Sequence, residues 1–562
     1  MQRTATTCRP ARRLARSLTA GVALLALAAC SGTRPNTAVS ETEARGEIGT
    51  LEQDTPLAAI VRTHDVRPLD PGSRQPLLVQ LEHELAKTDP AGTYRGITYG
   101  LSTTNALPAN WIVQHPDLWG RRADAVPPNA ELPQTLAKMI AGARRSVDIA
   151  ALQPAPDGKF LAAFADGIAA LVRSGRKIDV RVLVGTYPLG PGPDARELLQ
   201  QLAKAAGTTG SGVSLYVAEM RSCLGTEKCD SFTWNHAKFV VIDGTAALGG
   251  GINFWTGDYL AEEPVLDLSM QLAGPAAADA SRFADALWRF VCERKRDGGN
   301  GTGTVQAASL RAGASEIGED CLPTLAPDKP VPKGKVRVLS VARLGAGITE
   351  DFANQNDLAR DLLLGAARKS IFIAQQDFAF TLGQAKPLWP ETTMERLADF
   401  LLADRGDLFI VLSNLDATSR TGMDYSNSMP IDGVAQHLRE VVRRRNPALG
   451  DNALDALLCK RLHIAPTRFG PDASWPEKRP ISNHAKFFMV DERAFHIGSD
   501  NFYPVNLQEF GWMVEDRAAA ARLKRDYWDR LWRWSSAAAI SGAGVGDCVF
   551  TRKKVAAVSI RK

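Results

Sequence analysis

At 562 residues, with 45% hydrophobic side chains, the chain is long enough for two α/β domains of about 200 residues each. Its 67 basic and 62 acidic residues differ by five, and Arg3, Arg9, Arg12, Arg13 and Arg16 account for that difference, so the rest of the chain is formally neutral. A protein that tracks nucleic-acid phosphates needs a basic surplus or stripe, and the absence of a global one counts against a nuclease.

Residues 1–29 carry those arginines, no acid, and an apolar run from about Leu18 to Ala29, which is the pattern of a signal peptide. The run is short for a membrane span. Leu27-Ala28-Ala29-Cys30-Ser31 has the form of a bacterial lipobox. The mature protein is therefore expected to be exported and membrane-anchored through a lipid on Cys30, with plain secretion as the alternative. Residues 30–75 read as the tether, small and polar as far as about 55.

A helix near Pro76 to Lys87 opens the first domain, expected over 76–293. Helix Leu132–Ala143, strand Val147–Leu152, helix Phe160–Val172, strand Ile178–Val184, helix Ala195–Ala205 and strand Val213–Val217 then alternate, followed by further strands and a helix near Ala276 to Phe290. Gly, Ala, Pro and charged residues over 294–335 predict a linker. The second domain, 336–562, repeats the programme. It has strand Val336–Val341, helix Leu358–Arg368, strand Ile371–Gln375, helix Met394–Leu402, strand Leu408–Leu412, helix Val434–Arg444 and strand Leu462–Ala465. The alternation predicts an α/β fold of two similar domains, each a mixed sheet flanked by helices.

Asn235-His236-Ala237-Lys238-Phe239 returns as Asn483-His484-Ala485-Lys486-Phe487, and each copy opens a longer shared pattern. His236, Lys238, Asp243, Gly250, Gly251 and Asn253 match His484, Lys486, Asp491, Gly498, Ser499 and Asn501 at equal intervals. The apolar runs Phe239 to Ile242 and Phe487 to Val490 read as buried strands, on which His and Lys, two apart, share a face. Asp243-Gly244 has the form of a hairpin turn. An imidazole can attack or shuttle a proton while Lys and Asn hold oxygens on which charge accumulates, so each copy carries half of an oxyanion site. With Cys8 and Cys30 set aside, six of the eight Cys remain, enough for three disulfides in any of about fifteen pairings. Cys223 and Cys229 could close a short loop; they lack the spacing of a zinc pair.

His-x-Lys-x4-Asp-x6-Gly-Gly/Ser-x-Asn, present twice, resembles the phospholipase D superfamily signature, most closely that of the secreted actinobacterial type. Trp255, Asp258-Tyr259-Leu260 and Leu272-Ala273-Gly274-Pro275 add to the likeness in the first half. Tyr503-Pro504, Leu507-Gln508 and Phe510-Gly511 add to it in the second. The resemblance implies an active site where the halves meet, with no metal or cofactor. One His attacks phosphorus and the other protonates the departing alcohol. Composition leaves open which does which; the family places the nucleophile at His236 and the acid and base at His484. Asp267 would back His484 and Glu509, where Asp is usual, would back His236. Trp255, Tyr259 and Tyr425 would meet a choline head group near the mouth, beside Gly251 and Ser499. The implied substrate is a phosphatidylcholine-like lipid in a membrane or micelle, with small primary alcohols as alternative acceptors, and the protein a monomer that does not bind nucleic acid. A phosphodiesterase of the same fold acting on nucleic acid and an inactive lipid-binding scaffold are the rival readings.

Overall fold

The computed structural model describes residues 63–117, 119–124, 131–186, 195–207, 212–226, 229–296, 304–310, 324–349, 354–380 and 386–551. The expected signal peptide, Cys30 and most of the tether lie outside them.

Two mixed sheets form the frame. In the first, the central strand Ser146–Leu152 runs parallel to Ile178–Gly185 and antiparallel to Phe239–Ile242. Ala246–Gly250 and Asp267–Ala273 extend it on the motif side. In the second, Ser370–Gln375 takes the same place between Asp407–Leu412 and Lys486–Val490, with Ala494–Gly498 and Glu509–Glu515 beyond. The matching pairings are the physical form of the sequence repeat.

The apolar runs after each motif Lys are buried on both faces, as strands covered on two sides must be. Phe239 and Val241 join Phe487 and Met489 in a core shared by the two halves, together with Trp512 and helix Pro275–Arg296. Val240 and Ile242 face the outer helices of the first half, and Phe488 and Val490 those of the second. Each run is closed by a tight turn: Asp243 and Gly244 have φ of 54° and 61°, Asp491 and Glu492 of 53° and 51°. The Asp243 carboxylate accepts the amides of Arg144, Arg145 and Ser146, and Asp491 those of Arg368, Lys369 and Ser370. The aspartates of the repeated pattern thus tie the turn to the start of the central strand.

Several expected boundaries move. Helices Gln355–Gly365, Glu391–Leu402 and Ile431–Arg445 begin about a turn before their first expected residue, in the first two because a polar first turn precedes the apolar stripe. The stretch expected as a linker contains strand Thr304–Leu310, which pairs with Val213–Thr226. That strand outruns its expected end and folds back on Cys229–Trp234. Helix Leu77–Ala86 and strand Tyr99–Asn105, early in the chain, belong spatially to the second sheet. Tyr99–Asn105 is its edge, antiparallel to Val336–Arg343, and the amides of Leu77 and Leu78 bind the Glu515 carboxylate at 3.0 Å each. Cys459 and Cys548 form a disulfide, and Cys223 and Cys292 are each part of a disulfide as well.

Candidate active site

Each motif enters its sheet through a bridge to the other half. The His236 amide donates to the Gln508 carbonyl at 2.8 Å and the His484 amide to the Leu266 carbonyl at 2.7 Å. Asn235 pairs with Gln508 and Leu266 with Asn483 as parallel bridges. The segment entering each motif is therefore aligned on the residues flanking the opposite acid, Asp267 or Glu509. Asn235 and Asn483 shape the turn from within, each side-chain oxygen accepting the amide two residues on.

This exchange brings His236 Nδ1 to 2.8 Å from Glu509 Oε1 and His484 Nδ1 to 2.8 Å from Asp267 Oδ2. Both acids thus reach across the interface. The additional methylene of Glu509 leaves its distance to His236 equal to that of the Asp pair. With Nδ1 occupied, Nε2 of each ring is the atom left for chemistry. Lys238 and Lys486 stand at the strand mouths, Nζ donating to the carbonyls of His236 and His484 at 2.6 and 2.5 Å. Buried Asn253 and Asn501 each keep an amide oxygen without a partner; Asn501 Nδ2 donates to the Tyr503 hydroxyl at 2.6 Å.

The site is buried, and burial dominates its electrostatics. Burial, then Lys238, Lys486 and Arg343, holds His236 well below the usual imidazole range. Burial, then Lys486, Lys238 and His236, does the same to His484. Burial also pushes the Asp267 and Glu509 carboxyls up to about 7 and drives Lys486 well below the ordinary lysine range. His236, His484, Asp267, Glu509 and Lys486 are each held toward the neutral form. A phosphodiester supplies the negative charge that would favour the lysines and imidazolium as cations.

The expected head-group aromatics come together, but below the surface. Trp255, Tyr259 and Tyr425 are 4%, 0% and 2% exposed, which corrects the expectation of a mouth position. The polar edge of each ring is already bonded within the protein. Trp255 Nε1 donates to the Pro154 carbonyl at 2.7 Å, Tyr425 to Asp258 Oδ2 at 2.7 Å, and Tyr259 to Asp267 Oδ2 at 2.9 Å. Gly251 packs where a Cβ would lie 2.1 Å from Asp267 Oδ1, whereas Ser499, its counterpart, donates to Glu509 Oε2. Sequence reading missed Arg343, which stands opposite Glu509 in the strand register and bonds Asp357 and Asp500, and His115, opposite Asp267. A lone Arg or His at the end of a strand carries no local signal of that placement.

Comparison with known proteins decides the family. The chain is 33% identical over 521 residues to phospholipase D of Streptomyces antibioticus, covering 84% of this chain and 89% of that protein. The chain belongs to the phospholipase D superfamily. It is accordingly an enzyme of the phospholipase D type. No family model matches the chain. Among solved structures it is similar to phosphatidylserine synthase of Haemophilus influenzae Rd KW20, with 15% identity, a TM-score of 0.48 and coverage of 80% of this chain and 91% of that one. A polyphosphate kinase of Porphyromonas gingivalis is a more distant likeness, at 11% identity, a TM-score of 0.34 and coverage of 74% and 46%. Among the described residues no helix is long and apolar enough to cross a membrane, and no cluster of three or more His, Cys, Asp or Glu is arranged to hold a metal ion.

Proposed function

We propose that this phospholipase D-type enzyme cleaves phosphatidylcholine-like glycerophospholipids to phosphatidic acid through a covalent phosphohistidine, and passes the phosphatidyl group to small primary alcohols when they are present. The observation that carries the reading is the reciprocal pairing of His484 with Asp267 and of His236 with Glu509 across the two halves. Such a pair of backed imidazoles supplies a nucleophile on one side of a phosphorus and an acid on the other.

His236 Nε2 attacks phosphorus, in keeping with the family resemblance; burial, then Lys238, Lys486 and Arg343, holds this ring unprotonated. The bond to choline breaks as His484, which burial holds neutral until the phosphodiester charge favours its imidazolium, gives its Nε2 proton to the leaving oxygen. Lys238, Lys486, Asn253 and Asn501 stabilise the non-bridging oxygens. His484, now neutral, takes the proton of water or an alcohol as that oxygen attacks phosphorus and releases His236. Asp267 and Glu509 keep both rings aligned and balance the charge each carries. Trp255 and Tyr425 would meet the quaternary ammonium through their rings, since their polar edges are occupied.

Supplying ethanol with phosphatidylcholine tests the covalent step. Phosphatidylethanol should appear beside phosphatidic acid, in excess of the mole fraction of ethanol, and rapid denaturation at neutral to mildly alkaline pH, where the P–N bond survives, should leave the phosphatidyl group on His236. Phosphatidic acid alone at every ethanol concentration argues against an exchangeable intermediate, and phosphate on His484 would reverse the two roles.

A further inference from the structure

The two acid–imidazole pairs do the same work with different third members. In one, Glu509 binds His236 through Oε1 and accepts the Ser499 hydroxyl on Oε2. In the other, the position matching Ser499 is Gly251, where a Cβ would meet Asp267 Oδ1 at 2.1 Å and the His484 carbonyl at 2.8 Å. No hydroxyl can be delivered from there. Instead the Tyr259 hydroxyl donates to Asp267 Oδ2 at 2.9 Å and stands 3.1 Å from His484 Nδ1.

Tyr259 is also held more firmly than a head-group contact requires. It is fully buried, and His115, opposite Asp267 in the strand register, bonds its carbonyl through Nε2. The Tyr425 ring stands edge-on to Tyr259 at 6.5 Å and to His484 at 4.9 Å, anchored by its own bond to Asp258. Burial and the Asp267 charge push the Tyr259 phenol well above its ordinary value, so it stays a donor.

We propose that Tyr259 is a positioning residue of the catalytic cycle, whose hydroxyl fixes the Asp267 carboxylate and through it the His484 ring, as Ser499 does for Glu509 and His236. The assignment rests on the two-histidine mechanism proposed above. The bond favours the ionised carboxylate, which is needed when His484 carries a proton. The other charged or titratable groups bearing on this pair include Lys486, Lys238, His236, Asp258, Tyr425, Tyr527 and His115.

Tyr259→Phe keeps the ring and removes the hydroxyl. It should lower kcat by about 10- to 100-fold. Without the donor Asp267 holds its proton to higher pH, so the acid limb of the kcat profile should move upward by about half to one pH unit. KM and the preference for choline over ethanolamine should stay as in the wild type. Nitrogen NMR of the histidine rings, read without substrate, should show the His484 signals altered and those of His236 unchanged; Ser499→Ala should do the reverse. Altered head-group preference with an unmoved pH profile and unchanged His484 signals would make Tyr259 a substrate contact and overturn the assignment, as would wild-type kcat. A wild-type protein inactive on every phosphodiester would instead refute the proposed function, and the NMR comparison would still decide the Tyr259 bond.

Discussion

Gly251→Ala is the most demanding test of the interface geometry. The new Cβ would sit 2.1 Å from Asp267 Oδ1 and 2.8 Å from the His484 carbonyl, and contacts under 3.0 Å essentially never occur at a real Cβ. The carboxylate must therefore withdraw by about 1 Å, while the backbone carbonyl gives by a few tenths. That withdrawal breaks or lengthens the 2.8 Å bond to His484 and the 2.9 Å bond from Tyr259. A misplacement of about 1 Å costs on the order of 100-fold in rate. Loss of one hydrogen bond to a charged group, about 1.5–3 kcal/mol, gives the same range. Choline release from short-chain phosphatidylcholine micelles should accordingly fall by about two orders of magnitude, with thermal melting used to confirm that the variant folds. Ser499→Ala, at the matching position, creates no clash and should cost only about 10-fold. A folded Gly251→Ala variant within about threefold of wild type would refute the packing argument, because about 1 Å of movement would then have left catalysis intact.

Single changes His236→Ala and His484→Ala should each abolish turnover, since neither half holds both the nucleophile and the acid; residual activity near wild type in either, measured by choline release, counts against the shared site. Asp267 and Glu509 rise from 3.8 and 4.5 to about 7, so the folded state retains protons that the unfolded chain has released, and stability falls as pH climbs through that window. Asp267→Asn should therefore gain about 1–3 kcal/mol over wild type at pH 8 and little at pH 4, read from melting curves at both; equal gains at the two pH values would exclude this origin. Cys30→Ser should move the protein from the membrane to the soluble fraction, and identical fractionation of mutant and wild type would favour plain secretion.

What was legible in the sequence follows from which interactions leave a local trace. The repeated His-x-Lys and its apolar run predict a buried strand in each half, and Phe239–Ile242 and Lys486–Val490 are such strands. Family resemblance implied the crossed acid pairs, and the contacts of Asp267 with His484 and of Glu509 with His236 are present in the structure. Strand Tyr99–Asn105 went unread because Ser102, Thr103 and Thr104 give it little alternation and its partner is Val336–Arg343, far along the chain. Tyr259 was read only as a ring. The four-residue helix Thr256–Tyr259 has no periodicity from which the direction of a hydroxyl could be inferred.

The early helix and edge strand that lie on the second sheet make the units of recombination discontinuous. A chimera joined only within 311–323 would pair a foreign second half with Leu77–Ala86 and Tyr99–Asn105 shaped for another sheet, leaving Glu515 or its substitute facing amides it did not evolve to accept. Two crossovers are required instead, one between Asn105 and Ile112 and one after Leu310, so that residues 63–105 travel with the half they pack against. Shuffling among relatives of this enzyme should thus follow the sheets rather than the order of the chain.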